Sequence, residues 1–344
     1  MDFIKKTLAE NLTGPAHNLA TGSDSFDLKT DVPDLSGKVA LVTGGSEGIG
    51  FGCTHTLLTH NISKLFVLSV RAEKLDEALD AVEAELGKKA RDAIVWKQCD
   101  LSDWEKTANV ANEIAKETDR LDIVINVAAR GIMTRQLAET NGTDLHMAAN
   151  HIGHVVLTSH LLPLLKKTAK AGNIVRIVNF ASNLHEQTPK ETQFASVEEL
   201  NRDYGPQQQY ARSKLATLLY SKYLSRHLTP ENPGILANAI HPGIVDTAQT
   251  NDHIHEAYPL LGYGMSVGMK AFRKDQFEGC VSAMYAATVA EKSGLYIVCP
   301  PKIIEQGSDK ANDMELAERL MKLTKEVVDE KTGASKKGCP LKMY

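Results

Sequence analysis

Between Lys38 and Val298, short apolar runs alternate with longer stretches in which apolar residues recur every three or four positions. The runs read as seven strands: Val39–Thr43, Lys64–Ser69, Ile94–Trp96, Leu121–Ala128, Asn173–Phe180, Ile235–Ile240 and Leu295–Val298. Between them, Lys74–Lys89 reads as a helix with Leu75, Leu79, Val82 and Leu86 on one face. Ser102 or Asp103 caps the next helix, which carries Val110 and Ile114 and ends near Asp119. Longer helices follow over Gly142–Ala171, Tyr210–His227 and Gln276–Val289, and Met314–Asp329 closes the series. Strands that are apolar almost throughout are buried on both faces. The pattern therefore predicts one doubly wound α/β domain over residues 38–330, a mostly parallel seven-stranded sheet with helices on both sides. Residues 1–37 form an extension in which Phe3, Ile4, Thr7, Leu8 and Leu12 share a helical face, and 331–344 read as a flexible tail.

Composition changes little in this picture. With 42% hydrophobic and 24% charged residues, the 344-residue chain matches an ordinary soluble globular protein. A net charge of −4, with both signs mixed along the chain, gives no reason to expect nucleic acid as a partner. The five cysteines form no CxxC pair, so neither a disulfide framework nor a zinc site is indicated, and a reducing compartment follows. No stretch is long enough for a membrane span; Val155–Leu165 is interrupted by Thr158, Ser159, His160 and Pro163. Asp2 and Glu10 argue against a mitochondrial presequence, so the cytoplasm is expected, with peripheral membrane association left open.

The chemistry begins at Val39–Gly50, where a buried strand ends at Thr43, glycines stand at 44, 45, 48 and 50, and a helix resumes. Glycine there lets a dinucleotide pyrophosphate approach the backbone over a helix N-terminus, the Rossmann-type arrangement. A NAD site places a carboxylate about 20 residues further on, against the ribose 2′-hydroxyl. Val70 occupies that place and Arg71 follows, which favours a 2′-phosphate and therefore NADP over NAD. Glu47 opposes this by adding negative charge, and Arg71 could instead pair with Glu73 or Glu77 on the surface.

Three further signals fall at strand ends. Ser182 follows the fifth strand, Tyr210-Ala-Arg-Ser-Lys214 opens a helix, and His241-Pro-Gly-Ile-Val-Asp-Thr247 follows the sixth strand. Tyr210 and Lys214 lie one turn apart on one helical face. Hydride transfer to a carbonyl leaves an alkoxide that must be protonated. A neighbouring ammonium and the positive nicotinamide ring of the oxidised cofactor favour phenolate, so they are expected to lower the pKa of Tyr210 and make it the general acid or base, with Lys214 also holding the ribose hydroxyls. Ser182 would donate a hydrogen bond to the substrate oxygen.

Together with Thr43–Gly50, Asp100-Leu101, Asn150-His-Ile-Gly-His154 and Ile177–Ser182, these segments resemble the short-chain dehydrogenase/reductase family, in its retinol-dehydrogenase-like and WW-domain-oxidoreductase-like branch. The resemblance covers about residues 38–300. It implies a catalytic set of Asn150, Ser182, Tyr210 and Lys214, with Asn150 supporting the long helix and a water that connects Lys214 to solvent. It also implies cofactor contacts from Gly44, Ser46, Glu47, Gly48, Ile49, Gly50, Arg71, Asp100, Leu101, Asn126, Ala128, Tyr210, Lys214, Pro242, Gly243, Val245 and Thr247. The fourth strand departs from the family: Asn126-Val-Ala-Ala129 stands where Asn-Asn-Ala-Gly is usual. The same resemblance makes His151 and His154 packing residues, and no metal is expected.

Residues 183–209 and 244–275 border the presumed mouth. Apolar residues in the second, among them Ile254, Tyr258, Leu260 and Met265, either pack on the core or form a lid for a lipophilic substrate of retinoid, steroid or polyketide type. The function expected is NADP(H)-dependent interconversion of a carbonyl and an alcohol, and a homodimer is an admissible assembly. A dinucleotide-binding redox sensor without catalysis is the alternative of another class; an epimerase or dehydratase of the extended branch would carry a different glycine spacing.

Overall fold

The computed structural model describes residues 26–243, 245, 275–299, 303–333 and 341–344. Strand β1 (Val39–Thr43) is buried along its whole length, and its side chains enter two different cores. Val39 and Leu41 face one, Ala40 and Val42 the other. A strand covered on both sides has no polar face to show, which explains the unbroken apolar run. The same holds for β2 (Lys64–Ser69), β4 (Ile123–Asn126), β5 (Val175–Phe180) and β6 (Ile235–Ile240), while the edge strand β3 (Ile94–Gln98) is only half-buried.

With β7 (Tyr296–Val298) and β8 (Ile303–Glu305), the sheet order is β3-β2-β1-β4-β5-β6-β7-β8. Every pair is parallel up to β7. The seven strands expected become eight, because β8 returns antiparallel along β7 with Ile304 opposite Ile297. One core is covered by α3 (Trp104–Glu117), the long helix α4 (residues 145–170), α5 (Pro206–Glu231) and α7 (Met314–Thr332). The other is covered by α1 (Gly48–Thr59), α2 (Ala72–Leu86) and α6 (Gln276–Thr288). The chain runs outward from β1 to β3 and then crosses back to β4. A crevice therefore opens between β1 and β4 at the carboxyl ends of the strands, the usual ligand position in such sheets.

Two helices differ from their expected form. Helix α4 starts as Leu145–Met147, loosens into a π-turn over Ala148–Ile152 and continues as Gly153–Lys170. Helix α5 starts at Pro206, four residues before the expected Tyr210, since proline needs no N–H partner in a first turn. The body also begins earlier than residue 38. Phe26, Val32 and Leu35 are buried, and the Phe26 ring meets Tyr285 edge-on at 5.5 Å. The helical face expected at Phe3–Leu12 lies outside the described residues. At the other end, α7 runs to Thr332, two residues into the segment read as a tail, and Leu341 and Tyr344 pack on the body. Among the described residues, no helix is long and apolar enough to cross a membrane.

Candidate active site

After Thr43, the backbone turns through Gly44 (φ +64°) and Gly48 (φ +53°), both left-handed. A Cβ on Gly50 would lie 2.0 Å from the Gly44 carbonyl oxygen, so only glycine lets the first turn of α1 sit so tightly on the loop. Glu47 occupies the N-cap of α1 but makes no side-chain capping bond, and the Ser46 hydroxyl is buried with no partner among the described residues. Gly44, Ser46, Glu47, Gly48, Ile49 and Gly50 line a cleft of about 1280 Å³. The loop after β4 is held against this turn by Thr43, whose hydroxyl oxygen accepts from Val127 N–H and Ala128 N–H, both at 3.0 Å. Backbone N–H groups make those bonds, so the departure to Val127 and Ala129 leaves the link intact.

At one end of the cleft lie Arg71, Asp100, Leu101 and Ala128. Arg71 pairs with Glu47 at 2.5 Å, and the expected alternatives, Glu73 and Glu77, do not take that place. Glu77 instead pairs with Lys74 at 2.6 Å. Arg130 reaches Asp100 at 3.8 Å.

At the other end, β5 and α5 bring Ser182, Tyr210 and Lys214 together, and Pro242, Gly243 and Val245 line the wall after β6. Lys214 Nζ donates to the Phe180 carbonyl at 2.7 Å, and burial draws its pKa down to about 7. The Tyr210 phenol is pushed up to about 12 by burial, against the opposing effect of a hydrogen bond with Ser182. Burial and the expected influence of the ammonium and the oxidised cofactor's ring therefore act on Tyr210 in opposite directions. Lys214 Nζ lies 5.5 Å from the Tyr210 ring centre but is turned to the Phe180 carbonyl, and its own charge is weakened by burial.

Asn126 and Asn150 are both tied into the scaffold by their side chains. Asn126 lies in register with Thr43 and Asn179 inside the sheet, and its Nδ2 donates to Asn179 Oδ1 at 2.8 Å. Asn150, in the π-turn, accepts from Arg130 N–H at 2.6 Å and donates to Arg130 O and Ser213 Oγ at 3.0 Å. Its carbonyl oxygen accepts from Thr217 Oγ1 at 3.4 Å and lies 3.1 Å from His154 Nδ1. Thr247, and residues 246–274 of the expected lid, lie outside the described residues.

Burial lowers His151 to about 3 and His154 to about 4, so both are neutral at ordinary pH. His154 Nε2 lies 3.0 Å from Thr43 Oγ1, and His151 Nε2 lies 3.0 Å from Thr324 Oγ1.

Two supporting groups have no signature in residue spacing. His185 Nδ1 lies 2.7 Å from the Ser182 carbonyl oxygen, and its Nε2 accepts from Ser308 N–H at 3.1 Å. Asp144 accepts from Gln209 Nε2 at 2.5 Å and lies 3.6 Å from the Arg212 guanidinium, which donates to the Glu199 and Leu200 carbonyls. The two partners on α5 flank Tyr210, so the start of α4 fixes the face that carries the phenol.

Residues 38–190 match the family described as short chain dehydrogenase. A Neurospora crassa protein named "Putative oxidoreductase bli-4, mitochondrial" is 52% identical over 99% of this chain and 83% of its own length. Retinol dehydrogenase 14 of Mus musculus is 30% identical over 83% of this chain and 82% of its own. Among solved structures, the Pseudomonas aeruginosa RhlG/NADP active-site complex covers 77% of this chain and 95% of its own, with TM-score 0.56 and 25% identity.

Proposed function

The chain belongs to the short-chain dehydrogenase/reductase family of oxidoreductases, in its retinol-dehydrogenase-like branch, and from that premise we propose that it interconverts a carbonyl and an alcohol on a medium-sized lipophilic substrate with NADP(H). The observation that carries this reading is the convergence of Ser182, Tyr210 and Lys214 at one end of a cleft whose other end holds the glycine turn and Arg71. The residues present fit a nicotinamide dinucleotide. The glycine turn admits a close backbone approach, and the buried Ser46 hydroxyl is left for a ligand to satisfy. The RhlG complex contains NADP, and Arg71 at the end of β2 suits a 2′-phosphate here. Ile132, Leu184 and Pro242 on the wall favour an apolar substrate.

When bound, the nicotinamide supplies or takes the hydride. Tyr210 and Ser182 line the same end of the cleft, close enough for Ser182 to oppose the rise in the Tyr210 pKa, so both can address one oxygen position. In reduction, Tyr210 O–H gives its proton to the developing alkoxide while Ser182 donates a hydrogen bond to the same oxygen. Lys214 holds positive charge beneath them from its seat on the Phe180 carbonyl. A phenol held near 12 keeps its proton at neutral pH and is ready for reduction. Oxidation needs that proton removed, so its rate rises with pH, whereas titration of the phenol leaves the reduction rate unchanged near neutral pH.

Tyr210→Phe tests the assignment with retinoid-, steroid- and polyketide-like aldehydes and ketones. Turnover with NADPH should fall at least about a hundredfold, with dinucleotide affinity little changed, and the pH dependence of alcohol oxidation should disappear. A variant that turns over like wild type would overturn the mechanism. A wild type that binds dinucleotide but reduces none of these carbonyls would favour the sensor. For location, the sequence points to the cytoplasm and the name of the Neurospora relative to mitochondria; immunodetection of the untagged chain in fractionated cells separates them.

A further inference from the structure

The Arg71 guanidinium is already engaged. Its partner Glu47 comes from a different element, the glycine turn, and the two side chains meet at 2.5 Å on the wall of the cleft. Both remain reachable from solution, with 55% of the Arg71 side chain and 39% of the Glu47 side chain exposed. Beside them Lys74 is paired with Glu77, so this part of the wall carries two cations and two carboxylates and no excess positive charge. A 2′-phosphate would carry close to two negative charges to this wall. It therefore gains a two-bond contact with Arg71 only by displacing a carboxylate that competes for the same N–H groups. Glu47 sits at the N-cap of α1, yet its side chain makes no capping bond.

We propose that Glu47 is a specificity-determining residue that competes with the cofactor's 2′-phosphate for Arg71, holding the affinity for NADP(H), and its margin over NAD(H), below what Arg71 alone would give. The proposal rests on the reading of Arg71 as the 2′-phosphate partner. Glutamine at 47 keeps the size and hydrogen-bonding ends of the side chain but removes the competing charge. It leaves a net positive charge on the wall. The effect is electrostatic between exposed groups, so it weakens as salt is added.

The probes are adenosine 2′,5′-bisphosphate and adenosine 5′-monophosphate, which differ only in the 2′-phosphate, titrated calorimetrically into wild type, Glu47→Gln, Arg71→Ala and the double variant at one low ionic strength. Wild type should prefer the bisphosphate. Glu47→Gln should tighten the bisphosphate at least about fivefold, roughly the upper worth of an exposed ion pair, and leave the monophosphate within about twofold. In the Arg71→Ala background the gain from Glu47→Gln should vanish. If Glu47→Gln tightens both probes alike, or neither, the competition does not exist. A gain that persists without Arg71 makes Glu47 a plain repulsive charge and also overturns the proposal. If Arg71→Ala leaves the wild-type preference for the bisphosphate untouched, the reading of Arg71 fails first and the proposal falls with it. Glu47→Ala, read by the same titrations, serves if the glutamine variant does not fold.

Discussion

Lys214 is costly to keep. It is buried, its one hydrogen bond among the described residues goes to the Phe180 carbonyl, and no carboxylate there pairs with it. Its pKa is about 7 in the folded protein against an ordinary 10.5, so between those values the unfolded chain binds more protons than the folded one. Stability contributed at this site therefore rises with pH from about 7 to 10.5, and below 7 the burial cost is present in full. Lys214→Met should be inactive yet more stable than wild type by at least about 1 kcal/mol at pH 6, with the gap closing towards pH 10. Urea unfolding of both proteins across that range checks it; a gap that does not change with pH would mean that the ammonium is not held in a dry site. The spacing of Tyr210 and Lys214 was legible in the sequence, and so was their meeting with Ser182. The shift that burial imposes on each was not, because burial is a property of the packed cleft. The scaffold bonds of Asn126 and Asn150 were not legible either, since sheet register and a π-turn set them.

Among the elements, the buried strands were legible because coverage on both faces leaves a continuous apolar run. Strand β8 was not, since three residues at a sheet edge behind Pro300-Pro301 show no alternation. The π-turn was not, because one extra residue in a turn leaves the apolar spacing of α4 nearly unchanged. The contact of α1 with α6 depends on a glycine whose purpose the sequence did not reveal. A Cβ on Gly52 would lie 2.4 Å from the Gln276 carbonyl oxygen. Alanine would gain about 1 kcal/mol in helix propensity, but a clash with backbone cannot be relieved by a rotamer and forces the helices apart, at a cost of about 1–3 kcal/mol or more. The clash wins. Gly52→Ala should lower Tm by at least about 2 °C and weaken dinucleotide binding, because α1 starts at the glycine turn. Thermal melts with and without NADPH test this; an unchanged melt would show that α6 yields freely.

At the scale of the whole molecule, both described ends of the chain close over the sheet, which the sequence did not foretell. Phe26 packs beside α6 on one face, and residues 341–344 pack on the other. Lys336–Pro340 reads as loop, and four residues are too few to show a period, so docking of the terminus has no local signature. It is nevertheless specific. Lys342 N–H donates to Ser159 Oγ on α4 at 2.5 Å. The Tyr344 ring stacks on His227 of α5 at 4.8 Å, and His227 meets Glu318 of α7 at 2.6 Å. The terminus thus joins α4 and α5 directly and reaches α7 through His227, tying three helices that cover one core, and α5 carries Tyr210 and Lys214. Burial of Leu341 and part of Tyr344, with the hydrogen bond to Ser159, opposes the cost of ordering four residues, so the net contribution of the terminus is small. Removal of residues 341–344 should cost about 1 kcal/mol and lower Tm by about 2–4 °C. Adenosine 2′,5′-bisphosphate should bind within about twofold of wild type, because none of these residues lines the cleft. Tyr344→Ala should reproduce about half of the loss if ring stacking holds the segment. A truncated chain that melts like wild type would mean that the terminus rests on the surface without bracing it.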